Sequence, residues 1–213
     1  MKTINRFISE KLKITKKMLN NQYEFVDLGL PSGTLWAKCN VGAKTETEYG
    51  DYFAWGETKP KNEYTWENYK FGDEHNLTKY NDEDNLTELE LKDDAANVNM
   101  GSEWCIPTTE QFEELFKLDA KFIKNYNDTN VSGMLFTSEN GNTLFLPAGN
   151  LHVRKINGTY DTENGIYWAN IIGWYNGGYN TESAETCCFD TCDRTRINRY
   201  FRNVGALVRA VIK

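Results

Sequence analysis

Apolar residues in this chain occur in short runs that turn-forming residues interrupt. From Tyr23 onward, Pro31, Gly33, Gly42 and Gly50 separate short apolar stretches from one another. Runs of this kind, bounded by glycine and proline, are typical of β-strands joined by loops. The pattern therefore predicts short strands, long loops and few helices over residues 22–213.

The first 21 residues differ from the rest of the chain. Ile4, Phe7, Ile8 and Leu12 recur at helical spacing, and lysine and glutamate occupy the other faces. This periodicity predicts an amphipathic helix over residues 1–21, followed by a polar break and a second unit over residues 22–213. Such a helix can lie on its own domain, dock on a partner or mediate homo-oligomerisation, and the sequence leaves these alternatives open.

The strongest helical pattern begins directly after Pro107. Thr108 is suited to the N-cap position, and Gln111, three residues later, completes a capping box. Phe112 and Leu115 then supply an apolar face at helical spacing. The sequence predicts that this helix packs on a sheet.

Two apolar segments flank Asn140 and Gly141, a dipeptide that favours a hairpin turn. This arrangement predicts an antiparallel hairpin. Residues 165–179 and 205–213 have apolar strand character as well.

Composition indicates a folded protein. Aromatic residues make up 14% of the 213 residues, which is more ring surface than a disordered chain carries. No stretch approaches the roughly 18 apolar residues of a membrane span, and the N-terminal residues lack the apolar stretch of a signal peptide. We therefore expect no membrane insertion. We expect synthesis in the cytoplasm, after which the protein is either carried outside on a virion or stays cytoplasmic.

Charge and cysteine usage exclude several kinds of site. A net charge of -7 disfavours nucleic-acid binding by the chain as a whole. Five cysteines are an odd number, and the two histidines stand in no motif, so neither a disulfide framework nor a zinc site is predicted. The acidic segment 82–84 lacks the ligand spacing of a calcium loop. The sequence therefore predicts no catalytic residue, metal or cofactor.

Several ordered motifs carry a resemblance to a known family. They are VDLGLPSGTLWAKCNVGA, YGDYFAWGETKPK, EWCIPTTEQFEEL, TLFLPAGN, Tyr167-Trp168 and a closing series of Arg202, Gly205, Val208, Arg209 and Val211. Over residues 23–213 the chain resembles the Bacteroidetes major paralogous domain, a branch of the C-type-lectin-like and formylglycine-generating-enzyme-like fold. The resemblance implies an α+β, C-type-lectin-like fold. It implies much less about function, because one fold hosts many activities.

The segment Thr186–Ile212 has an unusual amino-acid vocabulary. Its 27 residues contain no Lys, Glu, Gln, Met or Trp, although these types make up 48 of the 213 residues. By chance a given window would show this about once in a thousand. The same five types are the ones that codons ending in C cannot encode. Five of the seven arginines lie in this segment, and none of the seventeen lysines does.

Codons ending in C arise when a diversity-generating retroelement randomises the adenines of AAC codons. The variable proteins of these elements carry a mutagenised, displayed final stretch on a C-type-lectin-like fold, and this chain resembles them. An accidental bias of a basic, aromatic-rich segment is the alternative. The positions expected to belong to the scaffold are Phe189, Arg202, Gly205, Val208, Arg209 and Val211.

Ligand-binding positions are expected to project from the scaffold into solvent, because massive substitution is tolerated only outside the core. Residues 170–180 are rich in Tyr, Asn and Gly, as antibody-like paratopes are, and Trp174 adds an aromatic anchor. Ile171 and Ile172 fit either core or contact surface and are assigned to the exposed set. Within a variable region of about residues 168–209, the expected binding residues are Asn170, Ile171, Ile172, Trp174, Tyr175, Asn176, Tyr179, Asn180, Thr186, Cys188, Asp190, Cys192, Asp193, Thr195, Ile197, Asn198, Arg199, Tyr200, Asn203, Val204 and Ala206.

The charge of the C-terminal region favours a protein or glycan ligand. Residues 186–213 carry six basic and two acidic side chains, whereas the rest of the chain carries 18 basic and 29 acidic ones. The sequence thus predicts a non-enzymatic, diversified receptor-binding protein of a phage or prophage particle. Its ligand would be a protein or glycan on a host cell surface, and the acidic body disfavours nucleic acid.

Two alternatives remain at this point. One is a fixed-specificity glycan- or protein-binding domain of a gut bacterium. The other is a formylglycine-generating-enzyme-like oxidase that uses cysteine chemistry. Against the oxidase, Cys187 and Cys188 are adjacent and would point to opposite sides of a strand, which suits neither a shared metal nor a redox pair.

Overall fold

The computed structural model describes residues 22–151 and 164–212, in which nine strands form three antiparallel sheets of three strands each. The first sheet joins, in order, β1 (Phe25–Asp27), β2 (Leu35–Ala37) and β9 (Val211–Ile212). The second joins β3 (Asp119–Ile123), β4 (Gly133–Thr137) and β5 (Thr143–Pro147). The third joins β6 (Gly165–Tyr175), β7 (Gly178–Phe189) and β8 (Thr195–Phe201).

The expected α+β class is wrong. The described structure is 34% strand and 12% helix. Its two α-helices, α1 (Ala95–Met100) and α2 (Thr109–Leu115), are only six and seven residues long. Helices of two turns bury too little surface to form a layer of their own, so the strands determine the architecture. The described chain is therefore predominantly β, not the α+β, C-type-lectin-like arrangement expected above. The helix predicted over residues 1–21 lies outside the described residues.

The helix predicted after Pro107 is confirmed as α2. The Thr108 hydroxyl accepts from the N–H of Gln111 at 3.3 Å, and the Gln111 side chain accepts from the N–H of Thr108 at 2.9 Å. Phe112 on the buried face meets Trp36 of β2 with 5.3 Å between ring centroids. The capping box sets where the helix starts, and its apolar face holds it against the first sheet.

The hairpin predicted around Asn140 and Gly141 is also confirmed. Strands β4 and β5 pair in antiparallel register, with Leu135 opposite Phe145. Gly141 has a φ of 85°, a conformation that glycine adopts without steric cost.

Strand β9 returns the chain end to β2, and the buried Arg209 secures this closure. Its Nε donates to Asn40 Oδ1 at 2.8 Å, and its two terminal nitrogens donate to the carbonyls of Lys38 at 2.7 Å and Phe145 at 3.0 Å. Because carbonyl groups replace the lost water, the charge is tolerated without a carboxylate. All six residues expected to belong to the scaffold are buried.

The inner part of the third sheet separates two hydrophobic clusters. Cys188 and Ala184 of β7 face the cluster that contains Trp55 and Trp168. Cys187 and Phe189 face the cluster that contains the first-sheet and second-sheet side chains. The expected opposite orientation of Cys187 and Cys188 is thus confirmed, and both sides of this part of the sheet are core.

Candidate ligand-binding surface

The third sheet extends beyond the core at the β6–β7 hairpin. Asn176, with φ 49°, and Gly177, with φ 86°, connect the paired residues Tyr175 and Gly178. Two successive positive φ values are the signature of the type I′ turn, whose twist matches that of the flanking strands. The strands therefore remain paired up to the tip and hold its side chains in fixed positions.

Three aromatic side chains at this tip are about half exposed: Trp174 at 49%, Tyr175 at 52% and Tyr179 at 47%. Trp174 and Tyr179 are cross-strand partners, and their rings meet edge to face with centroids 4.9 Å apart. Tyr175 lies on the opposite face, where the Arg199 guanidinium covers its ring at 4.1 Å from the centroid. These contacts orient the rings while leaving much of their surface open to a ligand.

A bulge in β7 separates the tip from the buried part of the sheet. Ile172 lies opposite Ala184, yet the next residue, Gly173, lies opposite Asn180. Residues 181–183 are therefore extra residues of β7 that have no partner in β6. Bulges of this kind bend and twist a strand, and here the bend redirects the hairpin tip away from the core.

The buried Arg202 holds the bulge in place. Its guanidinium donates to the carbonyl of Thr181 at 2.8 Å, and also to those of Tyr80 at 3.0 Å and Lys79 at 2.9 Å. Its Nε donates to the Tyr69 hydroxyl at 2.9 Å. The guanidinium also lies within 6 Å of four aromatic ring centroids, those of Trp55, Tyr69, Phe71 and Tyr80.

The turn between β7 and β8 is tied down by two aspartates. Asp190 accepts from Arg194 Nε and from the N–H of Cys192, both at 2.9 Å. Asp193 has a φ of 59°, and its carboxylate accepts from the N–H of Phe122 in β3. The exposed turn therefore has a defined backbone, although Cys192 and Asp193 are open to solvent.

One carboxylate pairs with two of the three arginines in and directly before β8. Among the described carboxylates, Asp190 alone pairs with Arg194, at 2.9 Å, and with Arg196, at 3.4 Å. Burial acts to raise the pKa of Asp190, but hydrogen bonds from Arg194 and from the N–H of Cys192 outweigh it, so this pKa lies below its usual value. Within the described residues, Arg199 has no ion pair.

The structure divides the 21 expected binding residues into three equal groups. Seven are exposed: Trp174, Tyr175, Asn176, Tyr179, Cys192, Asp193 and Arg199. Seven are half-buried: Asn170, Ile171, Asn180, Thr195, Ile197, Asn198 and Tyr200. Seven are buried: Ile172, Thr186, Cys188, Asp190, Asn203, Val204 and Ala206.

The seven buried residues do not belong to the surface. Ile172, assigned above to the exposed set, is only 2% exposed, because it lies opposite Ala184 against the first cluster. Thr186 and Cys188 lie in the part of β7 that is covered on both sides. The chain after Arg202 is buried, and this part includes Asn203, Val204 and Ala206. The Asp190 carboxylate accepts a hydrogen bond from Arg194 of the same turn.

Four exposed residues of the same surface escaped the sequence analysis: Thr191, Arg194, Arg196 and Phe201. Phe201 packs edge to face on Trp66, with centroids 6.1 Å apart, and remains 48% exposed. Arginines at spaced positions in an apolar strand are a signal for an edge strand, since a strand buried on both sides would not accommodate them.

The described residues also include two buried cysteines and a cleft that lie apart from this surface. Burial raises the pKa of the Cys187 and Cys188 thiols, which disfavours the reactive thiolate. Among the described residues, no group of three His, Cys, Asp or Glu side chains could hold a metal ion. A cleft of about 500 Å³ lies elsewhere, and its lining includes Tyr23, Lys38 and Cys39 but none of the expected binding residues.

The chain matches no protein-family model, no curated protein and no solved structure. Within residues 22–151 and 164–212, no helix is long and apolar enough to span a membrane. Function is therefore inferred from the surface itself.

Proposed function

We propose that this chain is a diversified ligand-binding protein of a diversity-generating retroelement, displayed on a phage or prophage particle. Its ligand is a protein or glycan on a host cell surface. One observation carries the proposal. Within the segment of unusual vocabulary, every residue from 191 to 201 is exposed or half-buried, whereas 186–190 and 202–212 are buried without exception.

This distribution suits a display segment. Residues 191–201 are held by groups outside the exposed side chains themselves: by pairing with β7, by Asp190 at one end and by Arg202 at the other. Because the anchors are buried, substitutions between them change the surface and leave the backbone in place.

The hairpin tip adds a constant contact region beside the display segment. Codons ending in C cannot encode tryptophan, so Trp174 lies outside the vocabulary of the diversified segment. Arg199 nevertheless joins the two regions, since its guanidinium covers the ring of Tyr175. A ligand would thus meet aromatic rings common to all variants and side chains particular to each one.

Sequencing the DNA around the gene tests the proposal. We expect a reverse-transcriptase gene and a near-identical template repeat that carries adenines at the codons of the display segment. Sibling copies should differ within residues 191–201 and agree at Arg202 and Arg209. A locus without a template repeat would reject diversification.

A fixed-specificity glycan- or protein-binding domain is the second candidate. It is favoured by the extension of the unusual vocabulary into the buried residues 202–212, where packing constrains the choice of side chain. In that case the hairpin tip and β8 would form one unchanging site, and sibling copies would agree over residues 191–201.

A further inference from the structure

The two edges of the third sheet differ in how their backbone groups are used. Along β6, the carbonyl of Asn170 accepts from Leu89 at 2.8 Å, and the N–H of Ile172 donates to Thr87 at 2.9 Å. The N–H of Trp168 donates to Leu207 at 3.0 Å. The chain itself therefore covers the β6 edge, whereas β8 pairs with β7 alone among the described strands.

The register shows which backbone groups of β8 face outward. In an antiparallel pair, successive residues alternately direct their N–H and C=O toward the partner and away from it. The carbonyl of Arg194 accepts from Asp190, and the N–H of Arg202 donates to the carbonyl of Glu182. Even-numbered residues therefore face β7. The residues whose backbone groups face outward are Thr195, Ile197, Arg199 and Phe201.

Most of these outward groups have no partner within the described residues. The N–H of Arg199 donates to the Asn198 side chain at 2.9 Å, and the carbonyl of Phe201 accepts from Val204 at 3.2 Å. No described residue bonds to the outward N–H and C=O groups of Thr195 and Ile197. Three donors and three acceptors thus lie in a row along one strand, which is the arrangement that accepts an added strand.

Charge indicates what kind of strand would fit. β8 contains Arg196 and Arg199 and no acidic residue, and Arg194 precedes it directly. Of the nearby carboxylates, Asp190 is shared by two arginines, Asp193 accepts from β3, and Glu185 accepts from Thr109. A second copy of the chain would place these arginines against their own counterparts, so an acidic strand is the better complement.

We propose that the outer edge of β8 binds an extended acidic segment of a protein ligand by β-strand addition. Main-chain hydrogen bonds supply affinity that does not depend on the side chains of β8, and the diversified side chains select the partner. This inference rests on the proposed ligand-binding function, but it requires only the β8 edge and not the retroelement. Its test, a binding measurement, is therefore independent of the sequencing test.

A synthetic peptide serves as the probe: acetyl-Thr-Glu-Val-Glu-Val-Glu-Val-Thr-amide. Amide hydrogen exchange of the full chain is followed by nuclear magnetic resonance while the peptide is added. We expect exchange at Ile197 to slow by about tenfold at saturation, with smaller effects at the inward-facing amides that already bond to β7. A peptide with lysine in place of glutamate should bind at least about tenfold more weakly, because the arginines repel it.

N-methylation of the peptide separates strand addition from side-chain binding. Methylation at one set of alternate positions should abolish the effect, and methylation at the other set should preserve it, because an added strand uses one edge only.

The protein variant Thr195→Pro removes one outward donor at a strand position that tolerates proline, and it should weaken binding. The charge variant Arg199→Glu should weaken the acidic peptide and strengthen the lysine peptide.

Three results would overturn the inference. One is peptide binding that perturbs Trp174 and Tyr179 but leaves the Ile197 amide unprotected. Another is equal binding by both sets of N-methylated peptides. The third is protection at Ile197 that rises with protein concentration in the absence of peptide, which would identify a second copy of the chain as the occupant.

Discussion

Arg202 Nε donates a 2.9 Å hydrogen bond to the hydroxyl of Tyr69, and both side chains are buried. The same hydroxyl donates to the carbonyl of Trp55 at 2.7 Å. Burial raises the pKa of Tyr69, more than the adjacent guanidinium lowers it, so the phenol remains a donor. This pair links the aromatic core to the bulge beside the β6–β7 hairpin tip.

Replacing Arg202 with methionine should destabilise the fold by about 3–5 kcal/mol, because several buried carbonyls lose their donor at once. Tyr69→Phe removes one hydroxyl and should cost about 1–3 kcal/mol. Urea denaturation of both variants measures the free energy of unfolding. If Arg202→Met unfolded at the wild-type urea concentration, the guanidinium would not be the anchor described here.

The same substitution at two tryptophans should change the free energy of unfolding by very different amounts. Trp104 is 1% exposed and meets Tyr23 edge to face, so Trp104→Ala should cost about 3–5 kcal/mol. Trp174→Ala, at the hairpin tip, should change the free energy of unfolding by no more than about 0.5 kcal/mol. Thermal melts of the two variants check this, and a reversed order would contradict the division into core and surface.

Two neighbouring residues of β8 should also differ in how much their side chains stabilise the fold. Arg199→Ala should leave stability within about 0.5 kcal/mol of wild type, since its side chain projects into solvent over Tyr175. Tyr200 packs in part against the first cluster, so Tyr200→Ala should cost about 1–2 kcal/mol. Denaturation curves that show equal losses for the two variants would mean that the sheet faces are assigned incorrectly.

Asp93 should make the stability of the fold fall at low pH. Burial acts to raise its pKa, but Lys70 at 2.6 Å, Lys79 and the Tyr80 hydroxyl at 2.8 Å outweigh it, so the pKa lies below its usual value. The ionised form is favoured in the folded state. The ionised Asp93 carboxylate therefore contributes fully to the free energy of unfolding above its unfolded pKa of about 3.9. This contribution is lost as the pH falls through the pKa of the folded state.

The variant Asp93→Asn tests this linkage. We expect it to be less stable than wild type at pH 6 and to lose less stability between pH 5 and pH 2, because its amide does not titrate. Free energies of unfolding over that range give a difference curve in which the effects of the other carboxylates cancel. A difference that does not change with pH would assign the acid sensitivity to those other groups.

Local structure could be predicted where the interactions that specify it are local. The capping box of Thr108 and Gln111 lies within one helical turn, and the Asn140-Gly141 turn sets the register of its own hairpin. Both were correct because residues adjacent in sequence specify them, although Asn140 and Gln111 also donate to Asp27 and Thr34 far away in the chain. The α+β class, which the family resemblance implied, was wrong because the two described α-helices are too short to form a layer beside the sheets.

The segment Thr186–Ile212 shows which features the sequence alone determines. Its vocabulary, its arginines and its expected scaffold positions were visible in the chain alone. Which residues between those positions reach solvent was not, because exposure is set by what packs on each side of a strand. Ile172 and Thr186 are buried since both faces of that part of the sheet are covered, and Arg199 is exposed since β8 lies at the edge. Composition thus marked the region, and non-local packing decided its surface.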